Sequence, residues 1–312
     1  MTNAKKDIIG RDESLDVVKS ILIVCVVLGH AMREGSWQCE MDTFVLGFIY
    51  RFHMPLFVLL CGYFFKFDAP LVMVRKIFLR YWLPYLSGGL LFVIGLGIFK
   101  GTSYVASMRN LLFGRGLGAM WFLYSIAAIE SVLCTSYAIF RRNRELGIFS
   151  ALGMFVIAIL LPIRVESWSV FYFLCGILLK GNLPDCRWGV AFGLLAVSVL
   201  WVTDLPWYTE ITFVSICFVS CIGVILLWIA KWLLKFKFGC RLAWLGRQTM
   251  VILIFHPLFN LVLFRAIPFF ASIDKTGLLF WVVESILGIV GCLVVGNMLQ
   301  RTKIGVLFGV RV

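Results

Sequence analysis

The chain has 312 residues, 62% of them apolar and only 14% charged, and a mean hydropathy of +0.98. No soluble domain of this length has enough interior for that composition, so water-soluble enzymes and binding modules are excluded in favour of a polytopic membrane protein. The net charge of +13 does not signal nucleic acid, because the basic residues are scattered between apolar spans and form no continuous patch or recognisable nucleic-acid fold.

Residues Met1 to Gly10 are polar and lead into a charged segment without a small-residue cleavage site, so no leader is expected to be removed. About ten apolar spans follow, at approximately Leu15–Met32, Phe44–Phe65, Ile77–Phe99, Gly118–Phe140 and Leu146–Ile163, then Trp168–Leu179, Trp188–Val202, Ile211–Ala230, Leu242–Phe264 and Leu278–Met298. The sixth and seventh are short for a hydrocarbon core that needs about 20 residues. With the N-terminus inside, the outer loops hold only Arg33, Arg51, Lys100, Arg109, Arg115, Arg164, Arg265 and Lys275. Every other Lys and Arg of the 29 falls on the inner side. That bias predicts an all-α transmembrane bundle with both termini cytosolic, in the inner (plasma) membrane. The loops are short, so residues 1–312 are expected to form a single domain with no appended soluble unit. Most of the ten cysteines lie in apolar runs without a CxxC pair, and neither a disulfide framework nor a metal site is expected.

The first span carries the most informative pattern. In RDESLDVVKSILIVCVVLGH, from Arg11 to His30, Lys19 and His30 project within roughly 20° of each other on a helix, with Asp16 about 60° from Lys19. His30 stands about 16 Å above Lys19, half the depth of a roughly 30 Å core. A polar track therefore leads from one membrane surface to an imidazole. A basic anchor with a snorkelling histidine has the same pattern, and the rest of the chain must decide between them.

All three histidines of the chain fall within spans. An ionisable side chain at that depth costs roughly 2.5 to 3.5 kcal/mol on insertion scales, so it faces the bundle interior and is a functional candidate. His53 and His256 each stand near a proline, where an imidazole also serves to satisfy backbone groups freed by the break. His30 has no such neighbour. In RKIFLRYWLPY, Arg75, Lys76 and Arg80 sit where an anionic cytosolic ligand would arrive, although lipid headgroups are an alternative partner. With Arg11 and Lys19, Arg80 would form a basic mouth beneath His30. Trp121 opens the fourth span in an aromatic belt that also suits a pocket wall. Glu130 and Glu284 lie within apolar spans and need partners that the sequence does not name.

The chain resembles the membrane acyltransferase family 3, bacterial proteins of about ten spans that acylate extracytoplasmic sugars and related acceptors. The residues that carry the resemblance are R-x4-D-x2-K from Arg11 ending in His30, FHMPLF with CGY at Cys61–Tyr63, the Arg75–Pro84 basic segment, WFL at Trp121–Leu123, and LGRQTMVILIFHPL at Leu245–Leu258. Two departures are Cys61, where many members have serine, and Lys19, where many have arginine. The resemblance implies an O-acyltransferase that moves an acyl group, most commonly acetyl, from cytosolic acyl-CoA to a hydroxyl of an extracytoplasmic or lipid-linked carbohydrate. On that expectation His30 is the general base and Asp16 orders the basic mouth. Arg11, Lys19, Arg75, Lys76 and Arg80 hold the acyl-CoA, and His53, Trp121 and His256 shape the pocket. The expected partners are acyl-CoA, the glycan acceptor and membrane lipids, with no nucleic acid and no bound cofactor. A transporter or flippase that uses the same histidines for proton coupling or substrate binding is the alternative.

Overall fold

The computed structural model describes residues 12–34, 40–115, 117–140, 142–160, 165–181, 191, 193, 195–196 and 211–310. Among these residues there are helices and turns and no strand. Among the described residues seven helical stretches are long and apolar enough to cross a membrane: Glu13–Arg33, Phe44–Phe64, Pro70–Lys100, Met120–Ile139, Phe213–Leu233, Thr249–Ile273 and Leu278–Gln300. The fifth expected span falls on a helix at Arg144–Leu160, and the sixth on a short apolar helix at Ser167–Leu178. The seventh lies outside the described residues except for positions 191, 193, 195 and 196, which are helical. The protein is a multi-pass membrane protein.

In chain order the helices are α1 (Glu13–Glu34), α2 (Glu40–Phe64), α3 (Pro70–Ile77), α4 (Leu83–Lys100), α5 (Tyr104–Leu112), α6 (Met120–Ile139), α7 (Arg144–Leu160) and α8 (Ser167–Leu178). They continue with α9 (Phe213–Leu233), α10 (Lys237–Gly246), α11 (Thr249–Leu263), α12 (Ile267–Ile273) and α13 (Leu278–Gln300). Helix α1 is the hub, packing against α2, α9, α10, α11 and α13. Its residues Val17, Leu22, Val27 and Ala31 are fully buried, whereas Leu71, Val105, Phe149 and Phe213 on other helices are among the most exposed apolar side chains. An apolar exterior around a polar-striped central helix is what a lipid solvent requires.

Two boundaries differ from the sequence expectation, each for a physical reason. The third span begins at Pro70 rather than Ile77, because α3 and α4 are joined by a π-helical turn at Phe78–Trp82. Pro84 has no N–H and its ring crowds the carbonyl four residues back, that of Arg80. The turn widens there, and the Leu83 N–H reaches the Phe78 carbonyl instead. The ninth span begins at Thr249 rather than Leu242, because Lys237–Gly246 forms a separate amphipathic helix laid against α1. A Cβ on Gly246 would fall 1.8 Å from the Asp16 carbonyl oxygen, so only glycine permits this approach.

Glycine also sets the contact between α2 and α8. A Cβ on Gly62 would sit 1.9 Å from the Phe173 carbonyl oxygen, and one on Gly176 would sit 2.0 Å from that of Leu59. Backbone cannot yield as a side chain does, so Gly62→Ala must push the helices apart. The expected result is a melting temperature in detergent lowered by several degrees, roughly what 1–3 kcal/mol of overpacking produces. Gly153→Ala, where a Cβ meets nothing within 4 Å, is the control and should show no fall.

Candidate active site

Helix α1 places Lys19, Ile23 and Val26 along one wall of a cavity of about 670 Å3. Lys66, Lys76, Arg80 and Arg247 surround its mouth with Lys19, and Asp68 is the mouth's carboxylate. The Lys76 ammonium, 2.5 Å from Asp68, holds that carboxyl below its usual range and keeps it charged. Deeper in, the walls turn apolar with Met54, Phe57 and Leu60 of α2, Phe122 of α6 and Leu253 of α11. Cys61, Tyr81 and Glu130 add polar atoms to that wall. The π turn aims Arg80 and Tyr81 at the cavity, and the Tyr81 hydroxyl donates to the buried Glu130 carboxyl. Tyr81 is thereby the partner that the sequence left unnamed for Glu130.

Asp16, 1% exposed, orders this mouth. It lies 2.6 Å from the Lys19 ammonium and 3.6 Å from Arg247 Nε, while Arg247 Nη2 also donates to Glu13 at 3.0 Å. Lys19 sits over the Phe64 ring at 5.1 Å. The stripe expected on the first helix is therefore formed, and its acidic member gathers cations from α1 and from the turn after α10.

The cavity stops one helical turn short of the histidines. His30 is one turn beyond Val26, His256 lies just beyond Leu253, and His53 precedes Met54, those three being cavity-wall residues. The rings of His30 and His256 meet with centroids 5.1 Å apart at 57°. His53 packs edge-on against Tyr50, centroids 5.0 Å apart. Tyr50 also lies against Gly29, where a Cβ would come within 2.9 Å of its ring. His30 and His256 thus meet one turn beyond the wall of a basic-mouthed cavity, and His53 stands next to Met54 of that wall.

The backbone fixes how two of these rings are protonated. His53 Nδ1 is 2.6 Å from the Ile49 carbonyl oxygen and His256 Nδ1 is 2.7 Å from that of Ile252. A carbonyl only accepts, so Nδ1–H is the donor in each case, and Nε2 of the neutral ring is an acceptor. Neither neutral ring has an Nε2–H to offer a developing oxyanion.

A family model described as an acyltransferase domain matches residues 12–297. The chain belongs to this acyltransferase family. The nodulation protein NolL of Sinorhizobium fredii is 45% identical over 58 residues, which are 17% of this chain and 16% of NolL. The chain therefore matches only a small part of that relative's length. No solved structure is significantly similar to it.

The other expected site residues of this acyltransferase are less central. Arg75 is exposed on α3 and is not part of the cavity wall. Trp121 packs on Trp168, centroids 5.6 Å apart, and its neighbour Phe122 lines the cavity instead. Arg11 lies outside the described residues. Sequence reasoning missed Arg247, Lys66 and Asn260. With its amide oriented to satisfy its neighbours, Asn260 donates to Glu284 Oε1 at 3.2 Å and to the His256 carbonyl at 2.9 Å. Asn260 is four residues after His256, a spacing that places it on the same helical face and is the signal by which it was findable. Among the described residues no three His, Cys, Asp or Glu side chains converge as a metal site requires.

Proposed function

We propose that this acyltransferase moves an acyl group, acetyl in the simplest case, from cytosolic acyl-CoA to a hydroxyl of an extracytoplasmic or lipid-linked carbohydrate, within the inner membrane and with both termini cytosolic. The observation that carries the proposal is the cavity itself, with five basic side chains at its mouth, an apolar throat, and the His30–His256 pair one turn past its closed end. Arginine and lysine at the mouth suit the phosphates of the donor, and the apolar throat suits its pantetheine arm and acyl chain. Lys19, Arg80, Lys76 and Arg247 are the phosphate ligands of this reading, with Arg11 and Arg75 as outer contributors.

The chemistry follows from the position of His30. Its lone pair takes the proton of the acceptor hydroxyl as the oxygen attacks the thioester carbonyl. The tetrahedral intermediate then expels the CoA thiolate, which collects that proton, so the products are the ester and free CoA. A single imidazole returned to its starting state balances the reaction. The test is mass spectrometry of cell-surface and lipid-linked glycans from cells with the intact gene, without it, and with His30→Ala at matched protein levels. A fixed mass increment that needs both the gene and His30 is the expected result, and its absence from all three under expressing conditions would refute the proposal.

A further inference from the structure

His256 offers an acceptor with nothing to accept. It is fully buried on α11, and its Nδ1–H is committed to the Ile252 carbonyl at 2.7 Å. Nε2 therefore carries a lone pair in the neutral ring, and among the described residues it has no hydrogen-bond partner. A buried polar atom left unmatched needs an explanation. The ring packed against His256 is that of His30, which carries an N–H in its neutral form. A ring-to-ring N–H···N bond sets the centroids apart by a hydrogen bond of about 2.9 Å plus a ring radius of a little over 1 Å at each end. The observed centroid separation of 5.1 Å matches that sum, so the two rings stand at the spacing such a bond requires. The χ2 torsion of His30 is soft, so its ring can turn a nitrogen towards Nε2 at this spacing.

We propose that His256 is the positioning residue of the transfer: its Nε2 accepts the ring N–H of His30 when substrates are bound, and so decides which His30 nitrogen keeps the basic lone pair. This rests on the reading of the protein as an acyltransferase with His30 as its base. The logic is that of a base oriented by a third group, with catalytic hydrogen bonds that tighten only in the complex with substrate. His256 is held for this task from two sides. Its ring is pinned to Ile252, with the Leu253 carbonyl, which Pro257 leaves without its N–H, also in reach. Its own carbonyl is tied through Asn260 to Glu284 on α13.

A purely structural histidine, present only to satisfy backbone carbonyls of its own helix, would share the Nδ1 contact but would have no use for Nε2. Two isosteres separate the roles. The Asn side chain in His256→Asn keeps an N–H where Nδ1 stood and lacks Nε2, whereas the longer Gln in His256→Gln brings an amide oxygen to the Nε2 position. The full chain in membrane vesicles is assayed for CoA released from acetyl-CoA, with melting temperature followed alongside. The expected result is that His256→Asn melts like wild type and keeps its KM for acetyl-CoA, but loses ten- to hundredfold in kcat, as removing an orienting partner does, while His256→Gln keeps most of the rate. Wild-type turnover in His256→Asn, or equal losses in both variants together with lower melting temperatures, would overturn the proposal. A wild-type protein that releases no CoA would instead refute the acyltransferase reading on which the proposal rests.

Discussion

His30→Gln is expected to reduce acyl transfer about a thousandfold while the protein remains folded, since general base catalysis contributes roughly 10²–10⁴. The position of the residue is the reason to expect so large a loss. His30 ends the stripe Lys19–Ile23–Val26, which lines the cavity, and one more helical turn carries its ring to the cavity's closed end. It is partly exposed, whereas His53 and His256 are buried. Its Nδ1 makes no bond to the backbone like those that pin the other two. Glutamine preserves size and polarity and removes only the ability to take a proton. The measurement is CoA release and acceptor labelling by purified protein with matched melting temperature, and a rate within tenfold of wild type would remove His30 from the chemistry. The KM for acetyl-CoA should not change, because the phosphate contacts lie at the mouth, on the order of 16 Å below.

What could be read in the sequence depends on the range of the interaction that fixed it. The alignment of Asp16, Lys19 and His30 follows from helical geometry alone, and the Asp16–Lys19 ion pair at 2.6 Å is its direct expression. The pairing of His30 with His256 joins residues far apart in sequence, and periodicity carries no information about which faces meet. Arg247 shows how a local misreading hides a site residue. Reading one apolar run from Leu242 left Arg247 as one more inner-side cation with no role, whereas Gly246 ends a separate helix and the residues Arg247 and Gln248 form the turn. Glycine at a helix end followed by polar residues was the available signal. The π turn was foreshadowed by Pro84, but its consequence, that Arg80 and Tyr81 face a cavity with Glu130, required the packing of α6. The family resemblance supplied the order of the motifs, and the geometry supplies their reasons: Gly62 of CGY and Gly246 of LGRQ are sites where backbones approach too closely for a side chain.

The double substitution Arg80→Ala with Arg247→Ala is expected to lower kcat/KM for acetyl-CoA by a hundredfold or more, almost entirely through KM. Both guanidinium groups line the cavity with Lys19, and hydrogen bonds to charged groups contribute about 1.5–3 kcal/mol each. At 1.4 kcal/mol per tenfold change, loss of both contacts accounts for the effect. Arg247 has a second task, because it shares the buried Asp16 with Lys19. Without it Asp16 draws more strongly on Lys19, and another cation is withdrawn from the mouth. Arg247→Lys should therefore recover only part of the loss, since an ammonium cannot bond Glu13 and approach Asp16 with separate nitrogens as the guanidinium does. Ionic strength provides the control. Wild-type KM should rise with added salt, because a cluster of exposed cations attracts its ligand through charges that ions screen over about 8 Å at physiological strength. The double variant should respond less steeply. A KM unchanged by both the substitutions and the salt would mean that the donor's phosphates bind elsewhere, and a fall in kcat with KM intact would place the arginines in the chemical step.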